Sequence, residues 1–107
     1  MRYRVFVTPT AYKQLMRLPA GHRSRIKAAM AQQLQHEPTK LSKSRIKRLR
    51  GLDRPQYRLR VDDVRVFYDV EKDRVEVLAV LEKDEVQAWL DREGSPASSG
   101  SSGEGEG

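Results

Sequence analysis

YRLRVDDVRVFYDV, residues 57–70, decides the fold of this chain. Tyr57-Arg58-Leu59-Arg60-Val61 alternates apolar and basic side chains, the period of two that marks a strand with one covered face. Asp62-Asp63 has the length and residue type of a two-residue hairpin turn, and Val64 to Val70 returns as the second strand. If these aspartates form the loop, Val61 pairs with Val64, Arg60 stands opposite Arg65, and Arg58 lies diagonal to Arg65 on the same face. Like charges facing each other across a ladder are destabilising. Three arginines gathered on an open sheet face therefore point to a missing anion. Phosphate suits them, because the planar guanidinium fork matches its oxygens. The competing reading is internal neutralisation by Asp69, Glu76 or an acid of the final helix; neither Asp69 nor Glu76 falls opposite an arginine in this register.

The chain on either side completes a small α+β domain. Glu71 to Arg74 turns again, and Val75 to Leu81 (VEVLAVL) is nearly all apolar, as in a strand covered on both faces. A last short helix, about Lys83 to Arg92, carries Val86, Trp89 and Leu90. At the other end, Tyr3, Val5 and Val7 alternate with Arg2, Arg4 and Phe6, which predicts a first strand. Thr8-Pro9 then starts a helix, with Thr8 as cap and Pro9 where no N–H is needed. Ala11, Leu15 and Leu18 give that helix its apolar stripe, and Pro19 ends it. After Ala20-Gly21 a longer helix runs to about Glu37, with Ile26, Ala29, Met30, Gln33 and Leu34 on its buried side and Pro38 as its stop. Residues 39–56 lack clear periodicity. The expected architecture is an antiparallel β-sheet, a meander plus the N-terminal strand, with an N-terminal helical hairpin on one face and a short C-terminal helix.

Charge is distributed unevenly along the sequence. The first sixty residues hold sixteen Lys or Arg and only two acids, Glu37 and Asp53; the remaining forty-seven hold five basic and thirteen acidic residues. A polyanion is the expected target of the basic surface, with nucleic acid first among polyanions. Thr39 to Arg50 (TKLSKSRIKRLR) is its densest part, with Lys40, Lys43, Arg45, Lys47, Arg48 and Arg50 as candidate RNA-binding residues. At 107 residues the chain is one domain, expected over 1–93. Residues 94–107 (GSPASSGSSGEGEG) have too little apolar surface to offset their ordering entropy and are expected to be a disordered tail. A natural tail and an added linker both fit that composition.

Other chemistry is excluded or weak. There is no cysteine, so disulfides, thiol nucleophiles and cysteine zinc sites are ruled out. No apolar run reaches the roughly 18 residues that span a bilayer, and the N-terminus has no signal-peptide core, so the expected location is the cytoplasm and no membrane partner is expected. His22 and His36 sit about 14 residues apart on one helix, roughly 21 Å by helix rise, too far to share a proton or a metal. No metal-ligand spacing, phosphate loop or nucleophile elbow is present, and no metal or cofactor is expected. Tyr57, Tyr68 and Trp89 are candidates for stacking on bases, although each taken singly reads as packing.

Residues 3–90 resemble the RelE/ParE superfamily of bacterial toxin–antitoxin toxins. The resemblance rests on Val5-Phe6-Val7-Thr8-Pro9-Thr10-Ala11 with Leu15 and Leu18-Pro19, then Leu49-Arg50-Gly51-Leu52, the hairpin Tyr57 to Val70, and Val75 to Leu81. The hairpin is its most specific part. The resemblance implies a RelE-like fold, a small basic toxin, and a cognate antitoxin that holds it inactive in a hetero-oligomer. For the RelE branch it further implies a ribosome-dependent mRNA endoribonuclease that needs no metal or cofactor. By position, Arg65 matches that branch's phosphate-binding arginine, Arg58 falls where a catalytic lysine or arginine is found, and Arg60 is its neighbour.

The chain departs from the branch after the last strand. A Gly–basic–Arg stretch followed by a tyrosine is expected there, but the sequence reads Leu81-Glu82-Lys83-Asp84-Glu85, with Lys83 in the Arg position and Trp89 where Tyr would be. An indole cannot exchange a proton with a 2′-hydroxyl. The implied site is therefore Arg58, Arg65 and Lys83 as catalytic residues, with Arg60 and Trp89 contacting RNA. The alternatives are a ParE-type inhibitor of DNA gyrase and a nucleic-acid-binding co-repressor that acts with its antitoxin.

Overall fold

The computed structural model describes residues 2–96, with strands β1 (Arg4–Val7), β2 (Ile46–Arg48), β3 (Leu52–Arg54), β4 (Tyr57–Val61), β5 (Val64–Glu71), β6 (Arg74–Glu82) and β7 (Ser95–Pro96). The helices are α1 (Pro9–Met16), α2 (Ala20–Leu34) and α3 (Val86–Glu93), the last entered through a 3₁₀ turn at Lys83–Glu85. Five strands make the main sheet in the order β1-β6-β5-β4-β2, and β3 pairs with β7 apart from it. The meander β4-β5-β6 is antiparallel, as the alternation requires. β1 joins β6 in parallel. The long connection between them, through both helices and the meander, frees their direction from hairpin geometry.

Local signals set the helix starts. Thr8 caps α1, its hydroxyl accepting the Ala11 N–H at 3.2 Å, and Pro9 occupies the first turn. Ala11, Leu15 and Leu18 are buried, followed by Ile26, Met30 and Leu34 of α2. These side chains pack on Ile46, Leu59, Val66, Tyr68, Val75 and Val77, the inner face of the sheet. Each fully buried Leu or Ile contributes about 1.5–3 kcal/mol relative to exposure, so this layer is the main core. Tyr68 completes it, stacking on Tyr57 and donating its hydroxyl to the Pro38 carbonyl at 2.6 Å. Burial pushes the Tyr68 phenol well above its usual range, with Tyr57 adding to the shift.

A bulge adjusts the two faces. Phe67 pairs with Ala79 but Tyr68 with Val77, so Leu78 is passed over. Phe67, Ala79 and Leu81 then form a second, smaller cluster on the outer face under Trp89 of α3. β1 ends at Val7, and α1 covers the edge of β6 beyond it: Gln14 Oε1 accepts the Val80 N–H at 2.8 Å, and the Thr8 hydroxyl donates to the Leu78 carbonyl at 3.5 Å.

Three short strands carry no readable alternation. β2, β3 and β7 lie in or beyond the segments read as aperiodic, and Ile46 is the one buried side chain of β2. The domain also runs past its expected end. Gly94 closes α3, its N–H donating to the Leu90 carbonyl at 2.8 Å, and a Cβ there would stand 2.6 Å from that oxygen. Ser95 and Pro96 then pair with Arg54 and Leu52, which corrects the expectation of a tail from Gly94 onward. The rest of that expectation, 97–107, lies outside the described residues.

Candidate nucleic-acid interface

The hairpin register sets the geometry of the outer face. Val61 pairs with Val64 and Arg60 with Arg65, across a turn in which Asp62 takes φ 54°. Leu59, Val64 and Val66 fill the inner core, so Arg58, Arg60 and Arg65 project from the opposite face. β2 adds a fourth cation, since Lys47 is the Cα partner of Arg58. On its other side Arg58 pairs with Phe67.

Each cation is held differently. Arg65 bends to the turn, an Nη donating to the carbonyls of Asp62 at 2.9 Å and Val64 at 3.3 Å. Arg60 is exposed. Arg58 Nε is buried and has no hydrogen-bond partner. Burial, and then the charges of Arg65 and Arg60, push the Arg58 guanidinium below its ordinary pKa. The strand register sets Arg60 opposite Arg65 and Arg58 diagonal to it, so like charges gather on this face.

The carboxylates near the cluster are engaged elsewhere. Asp62 binds Arg25 at 2.9 Å and Asp63 sits 3.6 Å from Lys83. Arg54, in β3, takes both Asp69 at 3.5 Å and Glu76 at 3.4 Å. Among the described residues no ion pair reaches Arg58, Arg60 or Arg65. Among the described residues, then, neither Asp69, Glu76 nor an acid of α3 pairs with this cluster. Lys83 is fixed at the hairpin tip, where its main-chain N–H also donates to Asp63 O at 2.8 Å, and Asp63 offsets its charge.

Only part of the basic stretch converges here. Lys47 does. Lys40 pairs with Glu37 at 3.6 Å, and Lys43, Arg45 and Arg50 are exposed outside the strand. Arg48 points to the inner side, its guanidinium 5.3 Å from the Tyr57 ring centroid and donating to Gln56 O at 2.8 Å. Trp89 requires a correction. It is 6% exposed and stacks on Phe67 with centroids 5.4 Å apart, so in this structure it presents no open ring to a base.

The sequence reading also missed the structural work of other side chains. Arg23 donates to the Met16 and Leu18 carbonyls, and Arg25 anchors Asp62, so neither is a bystander on the α2 surface. Arg54 and Gln56 hold Asp69, whose carboxylate accepts the Gln56 N–H at 2.7 Å. No local pattern could have marked them, because their partners lie on β5 and β6. His22 and His36 are exposed, and among the described residues no group of three His, Cys, Asp or Glu stands ready for a metal.

The arrangement is an open, positively charged sheet face with one half-buried guanidinium, suited to a backbone phosphate rather than an enclosed small molecule. Residues 5–86 match the family model of the ParE toxin of type II toxin-antitoxin system, parDE. No curated protein matches the chain in sequence. Among solved structures, it is similar to a chain of the archaeal RelE-RelB complex from Pyrococcus horikoshii, at 29% identity and TM-score 0.64, covering 78% of this chain and 97% of that one. A chain of the RelB-RelE antitoxin-toxin complex from Methanococcus jannaschii matches at 25% identity and TM-score 0.63, over 79% and 98% of the two chains. The RelBE2 toxin-antitoxin complex from Mycobacterium tuberculosis contains the same fold, at 24% identity and TM-score 0.61 over 77% and 92%. Since the family model spans most of the described domain, the chain belongs to the RelE/ParE superfamily of type II toxin–antitoxin toxins.

Proposed function

We propose that this toxin binds mRNA on the ribosome through the outer face of its sheet and cleaves it without a metal. The observation that carries the reading is the group Arg58, Arg60 and Arg65 on one face, with Asp62, Asp63, Asp69 and Glu76 each paired to another cation. A phosphodiester supplies the absent negative charge. In cleavage the 2′-oxygen bonds to phosphorus as the 5′-oxygen leaves, and charge builds on the non-bridging oxygens. The arginines stabilise that charge, an electrostatic contribution that needs no proton transfer from them. The 2′-hydroxyl proton passes to solvent, and Lys83, at the hairpin tip, protonates the departing oxygen. Lys43, Arg45, Lys47 and Arg50 add sequence-independent affinity for RNA backbones, whereas Lys40 is held by Glu37. The site of action is cytoplasmic; no helix among the described residues is long and apolar enough to cross a membrane. Control comes from a cognate antitoxin, as in the RelE-RelB complexes the fold resembles.

One observation favours a second reading, inhibition of DNA gyrase by binding alone. Trp89 is buried where the RelE resemblance expects a tyrosine, and the matching family model is that of ParE. A third role, as a nucleic-acid-binding co-repressor with the antitoxin, needs only the basic face. Adding the protein to a translating extract and mapping 5′ ends by primer extension tests the first reading. New ends within codons that require ribosomes support it. Intact mRNA with loss of gyrase supercoiling selects the second.

A further inference from the structure

Arg58 is the one member of the cluster with a buried, unbonded side-chain nitrogen. Arg65 is tied to the turn carbonyls, whereas Arg58 Nε is sealed from solvent with no bond. The ladder puts Phe67 directly opposite Arg58, and side chains directly opposite on one face lie about 4.5–5.5 Å apart at Cβ. Phe67 is itself 1% exposed because the Trp89 indole lies over it, tilted 26° from parallel. Leu49, two residues after Lys47 on the strand flanking Arg58, packs against the same cluster. An apolar wall thus borders Arg58 on β5 and reaches toward β2, with Trp89 as its cover.

The cover is fastened at both ends. Lys83 N–H is bonded to Asp63 at the hairpin tip, and β7 is paired to β3 after α3. α3 therefore crosses the outer face as a strap, with its largest side chain pressed onto the residue beside Arg58. A guanidinium held against such a wall loses hydration on one side and keeps its free donors for a ligand. Preorganisation of this kind reduces the ordering that binding otherwise requires.

We infer that Trp89 is a positioning residue: through Phe67 it holds Arg58 dehydrated and fixed, so that Arg58 is the rigid member of the phosphate-binding face. This rests on the proposed RNA-binding role of that face and adds a residue that never touches the RNA. It also accounts for an indole at a position where the superfamily resemblance suggests an exposed, reactive ring.

A double-mutant cycle on the full chain tests it, read as the affinity of a short labelled single-stranded RNA at fixed salt, with circular dichroism as the check on folding. Trp89→Phe keeps a ring over Phe67 and should bind within about twofold of the parent. Trp89→Leu should lose roughly tenfold, the size expected for one weakened charged contact. In an Arg58→Ala background Trp89→Leu should have no further effect, because the residue it positions is gone. Phe67→Leu should behave as Trp89→Leu does, and replaces it if that variant fails to fold. Additive losses in the cycle overturn the inference while leaving the RNA-binding face intact, since a purely structural indole would cost affinity with or without Arg58. A parent protein that does not bind the RNA, or an Arg58→Ala variant that binds as well as the parent, overturns the functional reading and the inference with it.

Discussion

The two ends of the sheet's outer face both meet arginine, Arg54 reaching one end from β3, and they treat it oppositely. At one end Arg54 lies between Asp69 and Glu76, and its charge is met within the fold. At the other, Arg58, Arg60 and Arg65 crowd together while the turn acids go to Arg25 and Lys83. The ends are joined by β5, on which Asp69 and Arg65 are four residues apart and so project to the same face. Charge content does not separate them. What separates them is where each acid finds its cation, and an uncompensated cluster is maintained at a cost in stability. The neutralised end is structure; the open end is the proposed site.

The most severe way to break this comparison is charge reversal at the open end. Arg65→Glu should abolish toxicity and weaken RNA binding by about 3 kcal/mol or more, roughly 100-fold, as a phosphate contact becomes a repulsion. Lys27→Glu, on the exposed side of α2, should change binding about twofold or less and is the better control, since Arg23 and Arg25 both make structural bonds. If the two reversals weaken binding equally, only net charge matters and the comparison falls.

Mutation at the neutralised end should act on stability. Asp69→Ala strands the half-buried Gln56 N–H and frees Arg54, and should destabilise by about 1–3 kcal/mol in denaturant melts with RNA affinity within about twofold. Burial raises the Asp69 pKa, with Glu76 adding to the rise, against the downward pulls of the Gln56 N–H, Arg54 and Arg48. A carboxyl with a raised folded pKa contributes stability that is complete below the unfolded value and is lost as pH rises through the folded value. Asp69→Asn should therefore flatten the wild type's loss of stability just above the ordinary carboxylate range. An unchanged pH profile would count against the burial of that group.

Smaller effects sharpen the picture. Tyr68→Phe removes the bond to Pro38 O and should cost about 1 kcal/mol. Its raised phenol pKa works in the same sense as that of Asp69, so wild type should lose stability as pH climbs above the usual tyrosine range and the variant should not. Lys47→Ala should lower the slope of log affinity against log salt by about one, as one phosphate contact is lost. Lys40→Ala should hardly alter that slope, because Glu37 already holds this lysine.

How much of this was legible in the sequence depended on whether the signal was local. The hairpin register was readable because two aspartates and strict alternation leave one in-register pairing, and the arginines' shared face followed from it. Thr8-Pro9 and the stripes of α1 and α2 were readable for the same reason. β2 and β3 were not, since a three-residue strand is too short to show alternation and is defined by the strand beside it. The burial of Trp89 was also hidden. One aromatic in a two-turn helix fits either core or platform, and the choice is made by Phe67, 22 positions away in the chain.

In the proposed function the open end, and not basic charge in general, binds RNA phosphate. The most direct measurement is fluorescence anisotropy of a labelled single-stranded RNA with three proteins: the parent, the triple variant Arg58→Ala/Arg60→Ala/Arg65→Ala, and Arg54→Ala. The triple variant should lose roughly 100-fold or more, and Arg54→Ala should bind like the parent while melting earlier. Equal losses in both variants, or undiminished binding by the triple variant, would contradict that proposal.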